Sequence, residues 1–133
     1  GSTNIDLSLE PIEVVITDKE ISLENVYFEY NQSNITNQGA AELDKLVRIM
    51  KNQSNLVIFV KSHTDTKGKA AYNLDLSEKR AQATVQYVIS KGISKDRISG
   101  KGFGLTEPKV VCKSCTTEQD AQNRRSEFLI IKK

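Results

Sequence analysis

Two side chains near the middle of the sequence have the chemistry to grip a small charged ligand. Asp65 offers a carboxylate, and Arg80, fifteen positions later, offers a planar guanidinium. Both lie in residues 62–80, SHTDTKGKAAYNLDLSEKR, together with Gly68 and Asn73. An acceptor and a forked donor held close together would clamp a zwitterion. The acid takes the ammonium, and the guanidinium holds the carboxylate through two parallel hydrogen bonds. The same two residues could instead pair with each other as a structural salt bridge.

Two further groups invite a chemical reading. His63-x-Asp65 has the form of an acid–base pair or half a metal site. However, His63 is the single histidine, and no nucleophile stands beside a base with a third orienting group. His63 is therefore expected to be structural, hydrogen-bonded beneath the loop, and neither catalysis nor a metal or cofactor is expected. Cys112-x-x-Cys115 leaves three readings open. A zinc site needs about four ligands, and here two cysteines and a distant histidine are on offer. A redox pair belongs at a helix start after a strand, whereas this motif lies in a polar run. A local disulfide is the third.

The clamp needs a strand to deliver it and a helix to receive it. Residues 56–60, LVIFV, are apolar on both faces and read as a central strand covered on both sides or close to it. A polar loop follows. The second helix is expected to start at Ser77 as N-cap, with Leu76 ahead of it, and to run to Lys91. Ala81, Val85, Val88 and Ile89 form its buried stripe, and Gly92 takes the left-handed cap. On that reading Arg80 lies in the first turn, where free N–H groups and the positive helix end favour a bound carboxylate. The N–H groups of Thr66 to Gly68 could add to this, with Gly68 letting the backbone approach. Tyr72 would line the rim.

The remaining elements frame this unit. Val26, Phe28 and Tyr30 alternate with Tyr27 and Glu29 at the period of a strand, and Asn31 opens a turn. Thr36 caps a first helix whose Leu43, Leu46, Val47 and Met50 share one stripe. Ile98 to Phe103 reads as a strand, and residues 105–122 as a polar insertion. Residues 127–131, EFLII, close the sheet. The order β-α-β-α-β-β predicts an α/β sandwich, a mixed sheet packed by helices, with a right-handed crossover in the first βαβ unit. Residues 1–20 read as an expression scar, Gly1-Ser2, and a lead-in with one weak strand, and residues 21–133 as one domain.

Composition narrows the class. At 133 residues, 38% hydrophobic, the chain fits one domain with one core. Its mean hydropathy is −0.44. The net charge of +2 is too small for a typical nucleic-acid binder. No apolar run approaches the roughly 18 residues of a membrane span. With Met50 as the only methionine, an anchoring segment upstream is compatible with the sequence.

Four runs, YFEYNQSNI (27–35), SHTDTKGKAAYNLDLSEKRA (62–81), SKGISKDRISGKGFGLTEP (90–108) and NRRSEF (123–128), resemble in order and spacing the OmpA-like (OmpA/MotB/Pal) domain family. The resemblance covers about residues 21–133. It implies non-covalent binding of peptidoglycan through the meso-diaminopimelate of the stem peptide. It further implies a parent anchored at the outer membrane, with this domain on the periplasmic side. The family's aspartate falls on Asp65 and its arginine on Arg80. Its loop asparagine falls on Asn73, the asparagine after the first strand on Asn31, and Leu-Ser on Leu76-Ser77. The paired arginines fall on Arg124 and Arg125, which are expected to brace loops more than to touch ligand. The oxidising compartment that the resemblance implies favours a disulfide between Cys112 and Cys115. The Cys112–Cys115 insertion is the departure from the family pattern. A reading from another class is an envelope scaffold or homodimerisation module with a vestigial clamp.

Overall fold

The computed structural model describes residues 15–16, 19–23, 26, 28–29 and 32–132. Among the described residues, five strands and three α-helices follow in the order β1 (Val15–Ile16), β2 (Glu20–Ser22), α1 (Asn37–Asn52), β3 (Val57–His63), α2 (Ala70–Ser90), β4 (Ile98–Gly104), α3 (Thr117–Asn123) and β5 (Ser126–Lys132). They form one sheet in the order β1-β2-β5-β3-β4. β3 and β4 are parallel, joined through α2, while β5 runs antiparallel to both β3 and β2. The expected α/β sandwich with a mixed sheet is what forms.

The core explains the layering. Leu43, Leu46, Val47 and Met50 of α1 meet Val85 and Val88 of α2 and Ile58, Val60 and Phe128 of the sheet. Ile58 and Val60 share one face of β3 because side chains alternate along a strand. The helices cover that face. Val57 and Phe59 point the other way and stay half-buried, so the second face of this central strand is covered only in part. Thr36 caps α1 as expected, its hydroxyl accepting from Gly39 N at 3.0 Å.

Three expectations about local structure are corrected. The strand expected around residues 26–30 does not form at its described residues, and β2 lies just before it. Val26, Phe28 and Glu29 lie outside any strand, and the alternation there records burial of Val26 and Phe28 rather than pairing. Tyr27, Tyr30 and Asn31 lie outside the described residues. The insertion is not all loop: Thr116 and Gln119 form a reciprocal capping box that starts α3. Finally, α2 begins at Ala70, seven residues before Ser77. Ala70, Ala71, Leu74 and Leu76 are good helix formers, and Gly68, at φ 88°, makes the break before them.

Ser77 is instead the point where α2 touches β4. It is fully buried. Its hydroxyl donates to Leu74 O at 3.0 Å and accepts from Gly104 N at 2.8 Å. Glu78 accepts from Gly102 N at 2.8 Å, and Gln82 donates to Gly100 O at 3.0 Å. A Cβ on Gly102 would stand 2.1 Å from Glu78 N. The glycines of β4 therefore let helix and strand backbones meet, and that contact fixes where the loop before α2 lies.

Candidate ligand-binding cleft

A cleft of about 780 Å³ opens where β3 ends, walled by residues 64–73, the segment around Phe28 and the start of β5. Asp65, Gly68, Tyr72, Asn73, Leu76, Arg80, Arg124 and Arg125 all line it. Thr66 and Ser77 are not among the lining residues. The topology explains the convergence, because β3 delivers the loop and β5, its antiparallel neighbour, begins beside the strand's end.

Each acid and base has a definite partner. Asp65 Oδ2 accepts from Arg124 Nη1 at 2.8 Å, and its Oδ1 accepts from Lys67 N at 3.1 Å. Arg80 faces the other wall. Its Nε donates to Gln32 O at 2.8 Å and its Nη2 to Glu29 O at 3.2 Å. Its guanidinium lies 4.9 Å from the centre of the Phe28 ring. Burial lowers the Arg80 pKa, with Arg124 acting the same way and Tyr72 and Asp65 opposing. Arg80 thus feels the charge of Asp65 across the cleft while each is held by other groups. Arg80 lies in the third turn of α2, so the expected help from the helix end does not act at this residue.

The supporting residues tie the loop down. Asn73 is buried and donates to Lys67 O at 2.7 Å. Thr66 directs its N–H and hydroxyl to Asp120 Oδ1, at 3.4 and 3.1 Å, so the N–H expected to serve a ligand already has an acceptor. Arg125 donates to Glu107 O at 3.1 Å and reaches Glu127 at 3.4 Å, bracing loops as expected. His63 is buried, its Nε2 2.9 Å from Glu127 Oε1. Burial lowers its pKa, against the Glu127 bond that raises it. Cys112 and Cys115 form a disulfide.

Asp120 is the important residue that the sequence reading passed over. It is 2% exposed on α3 and also ion-pairs with Lys67. That ammonium, with the Thr66 bonds, holds the Asp120 carboxyl below its ordinary value despite its burial. The Thr116-x-x-Gln119 capping box was the signal that could have placed it on a helix. Asn123, fully buried, was also missed. It holds Val110 through both backbone groups, at 2.8 and 3.2 Å.

The fold is a mixed sheet with α1 and α2 packed on one face and a charged cleft at the end of its parallel pair. The chain belongs to the OmpA family, whose model matches residues 27–125. Outer membrane protein A of Escherichia fergusonii is 41% identical over 86 residues, 63% of this chain and 35% of that protein. The peptidoglycan-associated lipoprotein of Buchnera aphidicola is 32% identical over 101 residues, 76% of this chain and 57% of that one. The chain therefore spans about a third of the first of these relatives. Among solved structures, the peptidoglycan-associated lipoprotein of Burkholderia pseudomallei superposes with a TM-score of 0.70 at 26% identity, over 80% of this chain and 88% of that one. The type VI secretion cell-wall anchor of Pseudomonas aeruginosa gives 0.74 at 20% identity, covering 91% and 89%, a likeness of fold.

Proposed function

We propose that this domain binds peptidoglycan non-covalently and fastens an outer-membrane protein to the wall from the periplasmic side. The ligand group is the free ammonium and carboxylate of diaminopimelate in the stem peptide. Asp65 accepts from the ammonium and Arg80 donates to the carboxylate, with Asn73 holding the loop and Asn31 kept as a candidate ligand contact. The observation that carries the reading is that an acid and a guanidinium line one cleft without pairing to each other. Among the described residues Arg80 Nη1 has no bond, which suits a ligand carboxylate. Relatives named as peptidoglycan-associated support the polymer.

Binding of this kind breaks no bond in the ligand. A charged hydrogen bond is worth roughly 1.5–3 kcal/mol when shielded and less when wet. One site then gives about micromolar-to-millimolar affinity, and retention on the wall comes from many sites along the polymer.

Titration calorimetry with a diaminopimelate stem peptide tests the reading, together with pull-down of wall sacculi. The parent should release heat and bind sacculi, while Asp65→Ala and Arg80→Ala, folded by circular dichroism, should do neither. A parent that binds neither peptide nor sacculi overturns the reading. Self-association without ligand binding would then point to the scaffold.

A further inference from the structure

We propose that Asp120 is the positioning residue of the ligand loop. It touches no ligand, but it sets where Asp65 stands; as a statement about affinity, this rests on the function proposed above. The juxtaposition is a closed ring of four residues. Asp65 Oδ1 holds Lys67 N at 3.1 Å. The Lys67 ammonium pairs with Asp120 Oδ2. The Asp120 carbonyl accepts from Arg124 N at 3.1 Å, one helical turn along α3. Arg124 Nη1 returns to Asp65 Oδ2 at 2.8 Å. Thr66, between Asp65 and Lys67, adds two bonds to Asp120 Oδ1.

The energetics favour a positioning role. A carboxylate that is 2% exposed is costly to desolvate and is held only because partners satisfy it. Those partners are three donors from two consecutive loop residues. Lys67 itself is mostly exposed, with side-chain exposure of 67%, and its ammonium also reaches Cys115 O at 3.4 Å. So the loop has little burial of its own to fix it. Asn73 of α2 holds Lys67 O, and α3 with the disulfide segment supplies the bonds to the side chains of Thr66 and Lys67. A loop ordered beforehand loses less entropy when ligand binds. The insertion that contains Cys112 and Cys115 thereby acquires a role. It carries the helix whose buried acid orders the binding loop.

The test compares the parent with Asp120→Ala, Asp120→Asn and Lys67→Met. Stem-peptide titration gives affinity, and amide hydrogen exchange of residues 66–68 gives loop order, with β3 amides as the fold control. Asp120→Ala should weaken binding roughly tenfold, the size of one charged hydrogen bond, and speed exchange at 66–68 while β3 stays protected. Asp120→Asn keeps an acceptor for Thr66 but loses the charge, so it should fall between. Should Asp120→Ala fail to fold, Lys67→Met cuts the same link from the exposed side and should still loosen the loop and weaken binding. Unchanged affinity and unchanged loop exchange in the folded variants would overturn the proposal. If the parent binds no peptide, the function fails, and the exchange data alone decide whether Asp120 orders the loop.

Discussion

The Asp65 carboxylate rests 2.8 Å from Arg124, not on Arg80. A ligand ammonium arriving at Asp65 must therefore displace or share with Arg124, whose side chain is nearly half exposed, at 46%. An exposed pair contributes about 1 kcal/mol or less, so Arg124→Gln should change stem-peptide affinity by no more than about fivefold. Asp65→Ala removes the acceptor itself and should cost roughly 1.5–3 kcal/mol, about ten- to a hundredfold. Calorimetric titration of the two variants side by side distinguishes them. Equal losses would mean that Arg124, not Asp65, carries the contact.

Arg80 should not tolerate lysine. Its fork spans Gln32 O and Glu29 O while its face stacks on Phe28. Lysine has neither the fork nor the plane. Arg80→Lys should lower unfolding free energy by about 1–2 kcal/mol, the value of such charged bonds discounted for partial exposure. Binding should fall as far as in Arg80→Ala. Urea denaturation and titration of the same preparations check both. Full binding in Arg80→Lys would show that charge alone suffices.

Gly102→Ala should be among the most damaging substitutions. The added methyl meets backbone atoms of α2, Glu78 N at 2.1 Å and Ser77 C at 2.4 Å, and backbone cannot swing aside as a side chain can. A loss of about 3 kcal/mol or more is expected, read as a lower urea midpoint. A midpoint unchanged from the parent would mean that α2 and β4 can separate freely.

How much of this was legible in the sequence depends on whether a residue's partner is local. Thr36 and the α1 stripe were readable because cap and stripe are set within a few positions. Asp65 and Arg80 were readable as a pair of chemistries. Which cation each would meet was not, because Arg124 arrives from the C-terminal end of α3, 59 residues away. The start of α2 was misplaced because Ser77 has the chemistry of an N-cap, yet its hydroxyl serves Gly104, a tertiary contact. The polar composition of residues 105–122 hid α3, a short helix that buries acid and amide groups, Asp120 and Asn123, instead of an apolar stripe.

Acid should weaken the fold in steps. Burial keeps His63 neutral, with Arg125 and Lys61 acting the same way and Glu127 opposing. Because its folded pKa is lowered, the stabilisation is complete above the ordinary value of 6.5 and is lost as pH falls below it toward the folded value. The Glu127 and Asp120 carboxyls are also held low, so further stability goes below their ordinary values of 4.5 and 3.8. Melting temperature should therefore drop from pH 7 to pH 5, and His63→Gln should flatten that first step. A flat parent profile between pH 7 and 5 would contradict the burial argument.

The place of β5 in the sheet has a consequence for how the chain folds. Strands β3 and β4 with α2 can assemble among near neighbours in sequence, and β1 with β2 make a small hairpin. In the strand order neither half is the neighbour of the other. β5, the last strand in the chain, lies between them, pairing Phe128 with Ile21 on one side and with Val60 on the other. Its contact with β2 closes a loop of over a hundred residues, the kind of distant pairing that slows folding. The two halves of the sheet must wait, with their inner edges open, until residues 126–132 arrive to join them.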